Sequence, residues 1–181
     1  MTSFSDQHLR DQALVFYADD VEALESILDA FLKKSAAKCA LLVDQDGHMI
    51  TSRGETKNVD LDTISALVAG SFAATKQLAK QFGEKEFTAL FHQGRGSNIQ
   101  LSLVGERALL TALFDDNTTV GMVRLYATEA AKRLGAIFER KAEELASGKS
   151  QDEGANSLIE DSGFLSDAAG AMDDLFGGDD N

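Results

Sequence analysis

Proline and tryptophan are absent from this chain of 181 residues, and cysteine occurs once, at Cys39. A single cysteine excludes an intramolecular disulfide, and its place in an apolar run reads as a small core residue. Without proline, helices must end on Gly, Asp and Thr signals. Histidine is scarce as well: His8, His48 and His92 have no second ligand at metal-binding spacing, so no zinc is expected. No apolar run approaches the ~20 residues that a membrane span requires, so direct membrane insertion is not expected. Residues 1–8 show neither a charged n-region nor an apolar h-region, which points to a cytoplasmic setting.

Positive charge is also in short supply, and the net charge is −13. Residues 147–181 hold nine acids and the single base Lys149, so −8 falls on that segment and −5 on the rest. Such acidity opposes nucleic-acid binding, where Lys and Arg must replace counterions on phosphates.

What is present reads as one α+β domain with tails. Residues 1–13 form a polar extension without periodicity. A first helix is expected from Asp19 or Asp20 as N-cap, with Val21, Leu24, Leu28 and Phe31 on one face. A hairpin follows, with strands Cys39–Val43 and Met49–Thr51 around the turn pair Asp46-Gly47. A second helix starts at Asp60 or Asp62 and ends where Gly83 follows Phe82. Strands Phe87–His92, Ile99–Val104 and Ala108–Phe114 come next. Residues 115–119 then break the sheet and cap a third helix with the stripe Val120, Val123, Ala127, Ala130, Leu134 and Ile137. The order α-ββ-α-βββ-α implies a five-stranded antiparallel sheet between helices, with no crossover loop for a phosphate or dinucleotide. Residues 147–157 read as a flexible linker. Residues 158–181 form an acidic tail in which Phe164, Leu165, Met172, Leu175 and Phe176 return at helical spacing, the pattern of a short docking helix.

The second helix carries the sharpest signal. On a wheel of about 100° per residue, Leu61, Ile64, Leu67, Val68, Phe72, Leu78 and Phe82 gather on the side expected to meet the sheet. The opposite side holds Ala66, Ala69, Gly70, Ala73, Ala74 and Gln77, with Lys80 at its end. A solvated face normally carries charge, and this one is small and flat. Gly70 in mid-helix costs roughly 1 kcal/mol relative to Ala. Small residues let another surface approach closely, so this face is read as a platform for a partner or a second copy of the chain.

No catalytic set is legible, and no cofactor is expected. Gly94-Arg95-Gly96-Ser97 lacks the Gly-Lys-Ser/Thr ending of a P-loop; a hairpin loop needing positive φ explains its glycines. Asp44-Gln45-Asp46-Gly47 resembles the middle of an EF-hand loop, but Leu42 and Arg53 occupy the first and twelfth positions. A Cys–His nucleophile pair requires the fold to bring Cys39 and His92 together.

Several stretches carry a family resemblance over about Leu14 to Leu145. They are residues 42–47, Ala69-Gly70 with Ala73-Ala74, residues 83–87, Phe91-His92, and above all residues 114–125, which set a strand end, a cap and a helix start together. The chain resembles the Roadblock/dynein light chain family, and within it the MglB-type regulators of the bacterial Ras-like GTPase MglA. Residues 14–146 are thus read as a Roadblock-like domain, and Asp173-Asp174-Leu175-Phe176 also looks like the MglB C-terminus. The segment before Leu14 departs from the pattern.

The resemblance implies an obligate homodimer with sheets joined edge to edge and the second helices paired. One small Ras-like GTPase in its GTP form is expected per dimer, seated on Ala66, Ala69, Gly70, Ala73, Ala74 and Gln77. It further implies that hydrolysis is accelerated by remodelling the GTPase, with no active site in the activator, and that the C-terminal segment influences nucleotide exchange. With a GTPase as partner, Arg53, Arg95, Arg107 and Arg124 are candidate transition-state arginines, although loop solvation is the default reading for most of them. The expected role is in cell polarity or motility, with concentration at a cell pole. The alternative is a scaffold of the same fold that holds a GTPase or signalling complex without changing hydrolysis.

Overall fold

The Asp44–His48 turn closes the first hairpin through two backbone bonds, Asp44 N–H to the His48 carbonyl at 2.9 Å and Gly47 N–H to the Asp44 carbonyl at 3.2 Å. Gly47 has φ +94°, and a Cβ there would lie 2.9 Å from the Ala66 Cα, so both conformation and close approach require glycine. The computed structural model describes residues 18–57 and 60–147. Their elements are α1 (Ala18–Ser35), β1 (Cys39–Asp44), β2 (Met49–Gly54), α2 (Leu61–Gln81), β3 (Ala89–Gln93), β4 (Asn98–Val104), β5 (Ala108–Phe114) and α3 (Val120–Ala146). The order is the expected one, and the sheet is five-stranded and antiparallel throughout, with strands in the order β2-β1-β5-β4-β3.

Some ends move by one to three residues. Strand β2 continues to Gly54 instead of stopping at Thr51, because Ser52 and Arg53 pair with Leu41 and Ala40. Strand β3 begins at Ala89, not Phe87, and pairs with β4 from Ala89↔Ser102 to Gln93↔Asn98. Asp20 is not a cap. Helix α1 already includes Ala18, and Asp20 is a buried carboxylate that accepts from Arg140 at 3.1 Å and Lys141 at 2.8 Å. At α2 the signals resolve as read: Asp60 caps the helix by accepting from the Thr63 N–H at 3.1 Å. At its other end Gly83, with φ +81°, donates to the Lys80 carbonyl and Glu84 to that of Ala79, a Schellman closure. Thr119 Oγ1 accepts from the Met122 N–H and opens α3.

Alternation along the strands divides the core in two. Ala40 and Leu42 of β1, with Val104, Leu110, Ala112 and Phe114, pack against α1 and α3 through Leu24, Leu28, Phe31, Val123, Ala127, Leu134 and Phe138. Cys39, Leu41 and Val43 point the other way, as do Leu101 and Leu109, and that face is covered by α2. Leu24, Leu28, Leu42, Leu110 and Leu134 are completely buried, each worth roughly 1.5–3 kcal/mol. On the α1/α3 face, a depression of about 460 Å³ lies between α3 and the β3 edge, lined by Ala89, Ser102, Thr128, Ala131 and Gly135 among others.

The chain divides after Lys141 into two units. The described residues of the second are 142–147, the end of α3, where the Ser147 N–H donates to the Glu143 carbonyl at 2.9 Å. The polar extension 1–13 and the tail residues Phe164, Leu165, Met172, Leu175 and Phe176 lie outside the described residues. Among the described residues no helix is long and apolar enough to cross a membrane.

Candidate functional site

Helix α2 meets the sheet through Ser65, Val68, Ala69 and Phe72, which are buried. Ala66, Gly70, Ala73, Ala74 and Gln77 are exposed as expected, but Ala69 is 6% exposed and belongs to the sheet side. The apolar assignment is corrected more sharply. Leu67, Leu78 and Phe82, expected beneath the helix, are 67%, 56% and 83% exposed. They sit with Ala74 on one flank of the outward face, at the steps of four and seven residues that make a stripe. The site is therefore a crest of small residues bordered by large apolar ones, and not a uniformly small platform.

A cleft of about 190 Å³ runs along the other flank. Ala69, Phe72 and Ala73 of α2 line it together with Leu109 of β5 and Gln45 of the β1–β2 turn, and Lys76 and Lys80 come from the C-terminal half of α2. Gln45 is anchored: its N–H donates to the Arg107 carbonyl at 3.1 Å, and its side-chain amide donates to the Glu106 carbonyl. The first hairpin turn and the β4–β5 turn are thereby tied together beside α2. At the start of the helix, bonds from the Thr63 hydroxyl and N–H hold the Asp60 carboxyl below the usual carboxylate range.

The four arginines are distributed unevenly about this face. Arg53 is bonded to Glu25 of α1 and lies 3.6 Å from Asp29, on the sheet face opposite α2. Arg124 belongs to α3, which packs on that same opposite face. Arg95 is in the β3–β4 loop. Arg107 alone of the four is joined, through its carbonyl, to a residue lining the α2 cleft. The exposed face of α2 itself has no arginine.

The fold does not bring Cys39 and His92 together. Cys39 pairs with Leu113, Leu113 with Ile99 and Ile99 with His92, so thiol and imidazole share a row but stand three strands apart. At a strand spacing of about 4.8 Å that is roughly 14 Å. Burial raises the Cys39 thiol pKa, the behaviour of a core residue. No group of three or more metal-binding side chains occurs among the described residues. Gly94 and Gly96 do not have the positive φ expected of them. Gly94 is required instead by its loop, because a Cβ would lie 2.4 Å from the Ser97 carbonyl oxygen.

Sequence reasoning missed Leu67, Leu78 and Phe82 as surface residues and did not single out the Gln45–Lys76–Lys80 cleft. The lysine pair was visible as the charge in an otherwise neutral stretch, 63–81, that contains no acid.

Comparison with known proteins places a Roadblock/LC7 domain over residues 23–114. Among solved structures, Myxococcus xanthus MglB is 38% identical, covering 65% of this chain and 95% of its own, with a TM-score of 0.62. The gliding protein MglB of Thermus thermophilus is 35% identical over 71% of this chain and 97% of its own, with a TM-score of 0.67. A structure described as MglB with a tetrameric arrangement has the same identity and coverage and a TM-score of 0.68. The curated protein sequences contain no match. The chain belongs to the Roadblock/LC7 domain family.

Proposed function

We propose that this protein is an MglB-like regulator of a small Ras-like GTPase of the MglA type, and that it works as a homodimer. The observation that carries the reading is the outward face of α2, where Gly70 and four exposed neighbours lie beside Leu67, Leu78 and Phe82. Three large apolar side chains on one helix flank are a surface built to be covered. A second copy covers part of it, with the two β3 edges completing one sheet, and the GTP-loaded GTPase covers the rest. Small residues on the crest allow the close backbone approach that a switch region needs.

The regulator acts without an active site of its own, and it accelerates hydrolysis by aligning groups that the GTPase already carries. Support comes from the arginine-free α2 face and the tying-up of Arg53. Residues 164–176 of the tail dock on the GTPase and influence exchange, so truncation after Gly148 weakens binding and exchange effects while leaving the dimer intact. The cellular setting is polarity or motility, with accumulation at a pole.

Single-turnover GTP hydrolysis by the cognate GTPase, with and without this protein, tests the reading. Stimulation is expected. Binding to the GTP form without stimulation would make the protein a scaffold, and absence of binding would remove the GTPase reading altogether.

A further inference from the structure

We infer that the cleft between α2 and the β1–β2 turn receives an acidic segment of the GTPase, with a carboxylate held between Lys76 and Lys80. The inference rests on the GTPase reading above and names the chemistry of the contact. Lys76 and Lys80 stand at i, i+4, a like-charge spacing that is mildly destabilising within a helix. Neither has an ion pair among the described residues, although the chain holds 30 acids to 17 bases. Residues 63–81 contain no acid at all. Proximity to the helix C-terminus favours Lys80. It does not account for Lys76, a full turn earlier and partly buried in the cleft wall.

The cleft has the parts to hold an anionic side chain. Phe72, Ala69 and Leu109 give it apolar walls, the lysines supply positive charge, and no carboxylate lines it. A lysine pair beside an apolar floor strengthens attraction to an incoming carboxylate relative to bulk water. In a chain of net charge −13, this patch also steers an acidic partner toward a helix stretch that carries no acid from residue 63 to 81.

The test measures association of full-length protein with a purified MglA-type GTPase carrying a non-hydrolysable GTP analogue, at 50 and 500 mM NaCl. The variants are Lys76→Glu with Lys80→Glu, Lys76→Gln with Lys80→Gln, and Gly70→Arg. The Glu pair is expected to slow association about tenfold at low salt, and the Gln pair less. The deficit shrinks at high salt as screening shortens from about 10 Å at 0.1 M to about 3 Å at 1 M. Wild-type rates and salt slopes for both pairs, with binding lost in Gly70→Arg, overturn the inference and leave the platform standing. Wild-type binding by all three overturns the platform reading itself. A peptide of residues 158–181 that competes with the GTPase on wild type, but not on the Glu pair, assigns the cleft to the tail and likewise overturns the inference.

Discussion

Replacing Gly70 with Arg separates a surface role from a structural one, because stability and binding should move in opposite directions. A Cβ built at Gly70 meets nothing within 4 Å, and the residue is exposed, so arginine fits without moving a neighbour. Glycine in a helix interior is about 0.8–1 kcal/mol less favourable than alanine, and arginine is close to alanine. The substitution should therefore stabilise α2 by roughly 0.7 kcal/mol, a rise of about 2–5 °C in Tm for a domain of this size. On the platform, the same side chain stands where the partner's backbone must approach. A loss of more than tenfold in affinity, about 1.4 kcal/mol or more, is expected for the GTP-loaded GTPase. Urea unfolding, sedimentation and titration of a fluorescent GTPase complex measure the three quantities. Raised stability with unchanged affinity would refute the platform. Lowered stability with conversion to monomer would refute the assignment of Gly70 to the GTPase and give it to the dimer contact.

Three further outcomes follow from the same geometry. Gly47→Ala should cost on the order of 1–3 kcal/mol in urea unfolding, since φ is +94° and the new Cβ would press on the Ala66 backbone; a loss under ~0.5 kcal/mol would mean that the turn re-forms away from α2. Bonds from Lys38 and from the Asn117 N–H lower the Asp115 pKa below its ordinary 3.8, and Lys34 lowers that of Glu129 below 4.5. Depressed folded-state values contribute stability above the unfolded pKa that disappears as pH falls through the folded one, so stability should decline below about pH 4–5, and Asp115→Asn should flatten that decline; an unchanged slope would exclude the pair as a source. Alanine at Arg53, Arg95, Arg107 or Arg124 should each preserve most of the hydrolysis stimulation, with Arg107 the decisive case because it adjoins the cleft. A drop of about 10³ or more with binding retained would identify an arginine finger and overturn remodelling.

The element order was legible because each punctuation mark has a local cause. Asp46-Gly47, Asp60 and Gly83 act through turn and cap bonds that involve only a few neighbouring residues. Strand ends were less legible: whether Ser52 and Arg53 extend β2 depends on Leu41 and Ala40 across the hairpin. The orientation of α2 is hidden for a deeper reason. Hydrophobic periodicity registers apolar residues without recording what covers them. With Leu67, Leu78 and Phe82 counted in, the apparent core face points roughly 80° away from the true one on a wheel of 100° per residue. The true inward set, Ser65, Val68, Ala69 and Phe72, has two small members and a weaker signal. Two apolar stripes on one helix, one buried on the sheet and one exposed, add into a single misleading direction.

The exposed stripe on α2 has an energetic consequence. Helices α1 and α3 share one face of the sheet and its largest core, whereas among the described residues α2 is the helix on the other face. Only four of its 21 residues are buried, and Leu67, Leu78 and the C-cap Phe82 point their large apolar side chains outward. Covering Leu67, Leu78 and Phe82 fully would contribute roughly 1.5–3 kcal/mol apiece before ordering costs. In an isolated chain the helix forgoes that contribution, so its docking on the sheet rests on Val68, Ala69 and Phe72 with the partly buried Leu61 and Ile64. Whatever covers the stripe therefore does two things at once: it forms the interface and it firms the element that presents Gly70, Lys76 and Lys80. On the proposed reading, dimerisation and GTPase capture would draw on the same helix, and a second copy that firms α2 would leave less ordering cost for the GTPase to meet.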